Sequence, residues 1–157
     1  MGRLFDAVAA LIGVRQQVNY EAQAAMELEA LAKKSEKGIY PIPIDGEMID
    51  PAEMFQAIVT DIQTGTSVGV MAARFHNTIA SLVLEVCDRL REERGLEEVA
   101  LSGGVWQNML LLEKSVTMLR EKDYTVWVHR VVPANDGGIS LGQVAVVGAR
   151  EQMGLLE

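Results

Sequence analysis

Two glycine-bearing segments are the part of this sequence whose residue types and spacing are suited to chemistry. VALSGGVWQN at residues 99–108 and PANDGG at 133–138 each run from an extended apolar stretch through glycines into a helix. A glycine turn ahead of a helix leaves backbone N–H groups for an anion, as in many phosphate sites. We therefore expect the two segments to form a nucleotide cleft, with the Asp136 carboxylate holding a metal.

The bare sequence also allows structural roles for the same residues. Ser102, Gly103 and Gly104 suit a tight strand-to-helix turn that needs glycine for steric reasons. Asp136 suits the N-cap of the helix that follows it, and one carboxylate can serve both as cap and as metal ligand. In this context we favour the phosphate cradle for the first loop and the metal-ligand role for Asp136.

The composition restricts the class of protein. The 157 residues suffice for one domain with a sizeable core, and a hydrophobic content of 49% argues against disorder. The net charge of −8 disfavours nucleic-acid binding. The sequence contains no apolar run of bilayer length and no signal-peptide pattern, and its single cysteine excludes an internal disulfide. These features predict a cytoplasmic protein with neither membrane nor nucleic-acid partners.

The spacing of apolar residues predicts the elements that must position the two loops. Helices are expected at residues 4–12, 19–34, 50–62, 66–94, 105–121 and after 138, an edge hairpin within 39–49, and strands at 97–101 and 124–129. Helix 66–94 is the longest and would serve as a spine. The last helix is small and apolar on most faces, which predicts that it is buried. The order of elements indicates an α/β layered domain with a small sheet.

Five motifs in a fixed order resemble a known family. They are GRLFDAVA at 2–9, NYEAQAA at 19–25, ARFHNT at 73–78, LSGGVWQN at 101–108 and NDGGISLGQ at 135–143. With this order and spacing, essentially the whole chain resembles the C-terminal half of the HypF family, the carbamoyltransferases of nickel–iron hydrogenase maturation. It is more distantly similar to the TsaD family, which makes threonylcarbamoyladenosine in tRNA.

The resemblance implies an α/β fold: the second lobe of the actin-like, Hsp70-like ATPase fold, which is RNase H-like, with a small sheet, flanking helices and a long central helix. Residues 1–157 would form a single domain, the C-terminal lobe of the HypF carbamoyltransferase unit. Because Met1-Gly2 falls inside a family motif, we expect a fragment of a larger protein, with Leu156-Glu157 a vector remnant. The family's His-x-x-x-His metal motif has no match, since the histidines are His76 and His129 alone.

The resemblance also implies a reaction and its participants. The family moves the carbamoyl group of carbamoyl-adenylate, made from ATP and carbamoyl phosphate in another domain, to the C-terminal cysteine of HypE. The implied cofactors are ATP or carbamoyl-adenylate and a divalent metal (Mg, Zn or Fe) whose site is incomplete here. The implied partners are a HypE-like acceptor and the missing N-terminal lobe. An isolated lobe would expose the apolar wall between lobes, which favours a homodimer without functional meaning.

Carried over position by position, the family motifs assign the site residues. Asp6 would bind the ribose hydroxyls, Glu21 would line the adenosine site, and Asp136 would bind the metal. The remaining nucleotide contacts would come from Ser102, Gly103, Gly104, Asn108 and Gly137. No residue is assigned a catalytic role.

The same residues also admit other interpretations. Without the family, Asp6 is an exposed charge and Asn108 a surface asparagine. Ala22 departs from the family's glycine, and its methyl group either weakens nucleotide packing or is tolerated. His76 is expected to be a structural histidine with its hydrogen bonds satisfied. Two rival functions are a lobe that binds nucleotide or a partner without chemistry, and a TsaD-like tRNA threonylcarbamoyl transferase.

Overall fold

The computed structural model describes residues 1–154 of the chain, which contain six helices and four short strands. The helices are α1 (Gly2–Leu11), α2 (Gln23–Leu31), α3 (Ala52–Gln63), α4 (Val68–Arg94), α5 (Met109–Glu121) and α6 (Ile139–Gln152). The strands are β1 (Ile44–Asp45), β2 (Met48–Ile49), β3 (Glu98–Leu101) and β4 (Thr125–Val128), and 3₁₀ turns at Gly104–Gln107 and Asp136–Gly138 precede α5 and α6. Leu156 and Glu157, expected to be a vector remnant, lie outside the described residues.

Local signals in the sequence set most helix ends. Gly13 and Gly95 take left-handed conformations, with φ of +78° and +68°, and end α1 and α4 as predicted. The Asp50 carboxylate accepts a hydrogen bond from the Ala52 N–H at 2.9 Å, which fixes the start of α3. These helix bounds lie within one or two residues of those predicted.

The middle of α4 is the centre of the molecule. Its 27 residues include a stretch from Met71 to Leu82 in which ten side chains are buried. The N-terminal half of α4 belongs to the larger core, where the rings of Phe5 and Phe75 meet edge to face at 4.8 Å. Its C-terminal half borders a smaller core centred on Leu119. The helix thus connects both cores, which confirms its role as a spine.

The parallel pair of strands determines where the two glycine loops lie. β3 and β4 pair in parallel, with Leu101 opposite Val128, and α5 is the crossover between them. The carboxyl ends of parallel strands lie at the same edge of a sheet, where open α/β folds commonly bind ligands. Both glycine loops follow those ends, so the pairing brings them together. The predicted edge hairpin is shorter than expected, since β1 and β2 have two residues each.

The structure corrects the start of α2. Asn19 was expected to cap this helix, but its backbone N–H donates to the Gln23 side chain at 2.8 Å, and the helix begins at Gln23. Ala22 precedes it in the left-handed conformation, with φ of 63° and ψ of 5°, which an α-helix cannot contain. The glycine that the family usually has here is the residue for which this conformation carries no steric penalty.

The prediction that α6 is buried is wrong. No residue of α6 is buried, and the side chains of Leu141 and Val144 are 55% and 68% exposed. Apolar composition alone does not bury a helix, because another element must cover its face, and within residues 1–154 no element does so. No helix among these residues has both the length and the apolarity needed to cross a bilayer.

We expect Ala22→Gly to stabilise the chain by about 1 kcal/mol. The substitution removes the steric cost of a Cβ at positive φ, and the larger entropy of glycine in the unfolded chain offsets part of the gain. Urea unfolding measures the change. Ala7→Gly, at an exposed position within α1, is the control and should destabilise by roughly 0.5–1 kcal/mol. Equal losses for both variants would show that Ala22 is not strained.

Candidate functional site

A groove with a cavity volume of about 1710 Å³ brings most of the predicted site residues together. Its walls come from α1, residues 21–32 with α2, residues 34–39, the middle of α4 at residues 77–81, α5 as far as Met118 and the two glycine loops. Of the eight predicted site residues, all within the described range, five line the groove: Asp6, Glu21, Gly104, Asn108 and Asp136. The other three, Ser102, Gly103 and Gly137, lie beside it in the same two loops. Asp6 is exposed, as its position off the apolar stripe of α1 predicted.

The first glycine loop is fixed to the second by its own backbone. The Gly103 N–H donates to the carbonyl of Ala134 at 2.8 Å, with φ of +105° at Gly103. The first internal hydrogen bond of the 3₁₀ turn runs from the Trp106 N–H to the Gly103 carbonyl at 3.1 Å. The N–H groups of Gly104 and Val105 precede that bond, so they are the donors that this turn offers to an anion.

The first turn of α5 has fewer amides available to a ligand than the sequence pattern predicted. The Leu111 N–H donates to Asn108 Oδ1 at 2.9 Å, and the Leu110 N–H donates to Glu29 Oε1 at 2.9 Å. Two of the first amides of α5 are thereby paired inside the protein. An anion bound at this loop would therefore meet the N–H groups of the 3₁₀ turn ahead of α5.

Asn108 is buried, not the surface residue that its position in the bare sequence suggested. While Oδ1 caps α5, Nδ2 lies 2.9 Å from Nε2 of His76. His76 is fully buried, and its Nδ1 lies 2.7 Å from the carbonyl oxygen of Ala72. Burial lowers the pKa of His76 below its usual range. The prediction of a satisfied structural histidine is confirmed, and the nucleotide contact of Asn108 stays a prediction.

In the second loop the capping role belongs to Asn135 rather than to Asp136. The Asn135 side chain accepts from the Gly137 N–H at 3.1 Å and caps the short 3₁₀ turn. Asp136 is exposed and lines the groove. Gly138 is required by the packing of the loop, since a Cβ there would lie 2.7 Å from the carbonyl oxygen of Pro133.

No sequence pattern indicated the basic side chains of the groove, which are those of Arg3, Lys34, Lys37 and Lys114. Burial lowers the pKa of Lys114, and the charge of Lys37 lowers it further. Asn77 holds the segment that carries Lys37, because its Nδ2 donates to the carbonyls of Glu36 at 3.1 Å and Gly38 at 2.9 Å. The motif ARFHNT contained this asparagine, but no local pattern indicated a partner some forty residues away.

The residues of the groove fit a divalent metal only as part of a larger ligand set. Among residues 1–154 no group of three or more His, Cys, Asp or Glu side chains is placed to hold a metal ion. The Asp136 carboxylate does not cap a helix, so it is available to a ligand. Mg²⁺ is often held by one or two carboxylates together with substrate phosphates. Asp136 is therefore suited to be one ligand among several.

Comparison with known proteins defines the class to which this fold and groove belong. Residues 1–143 match a family model described as "Carbamoyltransferase, Kae1-like Domain, second subdomain". The chain is 34% identical to carbamoyltransferase HypF of Synechocystis sp. and 40% identical to that of Rhizobium leguminosarum bv. viciae, over 96% and 92% of its length. The chain belongs to the carbamoyltransferase HypF family.

Two solved structures share the α/β fold with its small sheets. The crystal structure of full-length HypF in the phosphate- and nucleotide-bound form has a TM-score of 0.86 and 42% identity, over 94% of this chain. That of T. kodakarensis HypF has a TM-score of 0.84 and 32% identity, over all of this chain. The chain spans about a fifth of the length of these relatives, 19–20% of the two curated proteins and 20% of each solved chain.

We expect alanine to act differently at the two glycine loops. Gly138→Ala should destabilise by about 1–3 kcal/mol, because its methyl group meets the Pro133 carbonyl and the loop must shift. Gly104→Ala is the matched control and should change stability by less than about 0.5 kcal/mol, since the nearest atom to its Cβ, that of Asn135, lies at 3.9 Å. Thermal unfolding of both variants measures the difference, and equal losses would contradict the assigned packing role of Gly138.

Proposed function

We propose that this chain forms one wall of the carbamoyltransferase site of a longer HypF-family protein, and that its groove binds ATP or carbamoyl-adenylate. The proposal rests on one observation: residues 6, 21, 104 and 136, which come from four separate segments of the chain, line the same groove. Family membership supports the reaction class. The relative solved in a phosphate- and nucleotide-bound form supports the ligand class.

The fold assignment that goes with this function is the second lobe of an actin-like ATPase unit, with residues 1–157 as its single domain. A long central helix, two parallel strands and a ligand groove at their carboxyl ends support this assignment. The opposite wall would come from the N-terminal lobe of the same protein. The second partner would be a HypE-like acceptor.

Each wall of the groove has a proposed part in nucleotide binding. The N–H groups of Gly104 and Val105 would donate to a phosphate, and their position in a turn lets the backbone approach closely. Carboxylates commonly accept from ribose hydroxyls, a role that suits Asp6 in its exposed place on α1. Glu21 would line the adenosine side. Lys37 and Lys114 would offset part of the charge of the phosphates.

Asp136 would be a ligand of a divalent metal in the complete protein. When bound, such an ion neutralises the phosphate charge of an acyl-adenylate and thereby assists loss of the nucleotide. The groove supplies the carboxylate for it, while Asn135 holds the loop in shape. The other protein ligands would come from the N-terminal lobe.

The proposed reaction is acyl transfer. The acceptor cysteine thiolate attacks the carbamoyl carbon, an S–C bond forms, and the bond from that carbon to the phosphate oxygen breaks. The bonding pair and the negative charge leave with AMP. Residues of this chain would hold the nucleotide and orient the carbamoyl group. A site built from two lobes excludes water and positions both reactants only when both lobes are present.

We expect the 157-residue chain to bind Mg²⁺–ATP weakly, and Asp136→Ala to lower the affinity roughly tenfold, or about 1.4 kcal/mol. Gly104→Val should also lower it, because a branched side chain crowds the approach to the turn. Calorimetric titration with and without Mg²⁺ provides the measurement. Asp45→Ala, an exposed carboxylate in the hairpin outside the groove, is the control and should bind like the parent. Unchanged affinity in both groove variants would refute the site.

The isolated chain should not transfer the carbamoyl group. Incubation with synthetic carbamoyl-adenylate and a HypE-like acceptor, followed by mass measurement of the acceptor, should show no added carbamoyl mass, because half of the site is missing. The full-length protein is the positive control. Transfer by the chain alone would contradict the two-lobe site, and nucleotide binding without transfer by the full-length protein would favour a non-catalytic binding lobe.

A further inference from the structure

We propose that His76 is a positioning residue of this groove: through Asn108 it holds the start of α5 and the adjoining glycine turn in one orientation, and it does so only as the neutral Nδ1–H tautomer. The ligand whose binding would depend on this orientation is the nucleotide, so that part rests on the proposed function. The hydrogen bonds themselves do not depend on it.

The hydrogen-bond partners fix the tautomer of His76. The Ala72 carbonyl can only accept, so Nδ1, at 2.7 Å, must carry the proton and donate. Nε2 of a neutral ring is then an acceptor, and the Asn108 amide group donates to it across 2.9 Å. Asn108 has its amide in this orientation because Oδ1 accepts from the Leu111 N–H at 2.9 Å. Each of these assignments requires the others.

Protonation of His76 removes one hydrogen bond from this network in either orientation of the Asn108 amide. A proton on Nε2 would face the Asn108 amide group, so that two donors meet. Rotation of the amide would bring Oδ1 to the imidazolium, but Nδ2 would then face the Leu111 N–H and the cap of α5 would be lost. One buried donor is left without an acceptor in either case.

The surroundings of the ring keep it neutral. It is fully buried, and the rings of Phe5 from α1 and Phe75 from α4 lie edge to face at centroid distances of 5.5 and 5.9 Å. The charged groups that act on it are Glu29 of α2, which raises its pKa, and Lys114 of α5, which lowers it. Burial outweighs the effect of Glu29 and that of the Ala72 hydrogen bond, which also raises the pKa, while Lys114 acts in the same direction as burial.

Asn108 transmits the orientation to the groove because it belongs to two elements at once. Its N–H donates to the Val105 carbonyl at 3.1 Å and closes the 3₁₀ turn, and its own carbonyl accepts from the Leu112 N–H at 3.0 Å within α5. Val105 and Trp106 of the same turn pack against the larger core. If loss of its side-chain hydrogen bonds displaces Asn108, the displacement is passed through these backbone bonds to the turn whose N–H groups would contact phosphate.

The first test measures the tautomer in the chain without nucleotide. Nitrogen NMR spectra of ¹⁵N-labelled protein report directly which ring nitrogen carries the proton, and the sequence has two histidines, so His129→Gln leaves one signal to assign. We expect His76 to show the Nδ1–H form at neutral pH and to gain its second proton at lower pH than a free histidine side chain. An Nε2–H form, or titration at the pH of free histidine, would overturn the proposal.

The second test measures Mg²⁺–ATP affinity against pH in three variants. His76→Gln keeps an acceptor for the Asn108 amide without a titrating group, His76→Leu removes the acceptor, and Asn108→Asp keeps the cap but puts a carboxylate against Nε2. As the pH falls below 7, the affinity of the parent should decrease more than that of His76→Gln, because only the parent has a ring at this position that gains a proton. His76→Leu should be weak at both values, and Asn108→Asp should lose less than the parent because the imidazolium gains a partner.

The outcomes separate this inference from the proposed function. If the NMR results hold but the parent chain and the full-length protein bind no nucleotide, the proposed function fails while the hydrogen-bond assignment stands. If the parent binds nucleotide and all three variants follow the same pH profile, the positioning role is refuted and the proposed function stands. If His76→Leu does not fold, the comparison of parent, His76→Gln and Asn108→Asp still tests the positioning role of His76.

Discussion

Three consecutive buried polar side chains in the middle of α4 constrain the rest of the structure. His76, Asn77 and Thr78 are at most 8% exposed, and a buried polar group left unpaired costs about 1–3 kcal/mol. Asn77 and Thr78 therefore bind the backbone of residues 36–40, and His76 binds the side chain of Asn108. One turn of helix thus fixes two separate walls of the groove. Apolar residues bury these three side chains, and burial requires each of them to find a hydrogen-bond partner.

The parallel pairing of β3 with β4 adds the second constraint on the groove. It places both glycine loops at one sheet edge, and the hydrogen bond from Gly103 to Ala134 joins them. Glycine serves different purposes in the two loops. At Gly104 a Cβ would meet only the Cβ of Asn135, at 3.9 Å, whereas at Gly138 it would lie 2.7 Å from the Pro133 carbonyl oxygen. The shared strand–glycine–helix pattern concealed this difference, because the pattern contains no information on packing.

Features that depend on neighbours in sequence were predictable. The ends of α1 and α4 at Gly13 and Gly95 follow from the tolerance of glycine for positive φ, and the start of α3 follows from Asp50, whose carboxylate accepts from the Ala52 N–H. Family motifs predicted five residues that the groove unites. The start of α2 was missed, because an alanine at positive φ runs against its own local preference and is held there by the surrounding chain.

The sequence by itself determined the class of fold, the long central helix, the two glycine loops and the family of the chain. All of these follow from the periodicity of apolar residues and from motifs in a fixed order. Only the tertiary structure decided which hydrogen-bond donors remain for a ligand. Glu29 and Asn108 accept from the Leu110 and Leu111 amides of α5, and Asn135 fills the capping position that was also open to Asp136. Packing likewise left α6 exposed. The physical reason is that these choices depend on partners distant in sequence, and burial forces each polar group to accept whichever partner the fold brings to it.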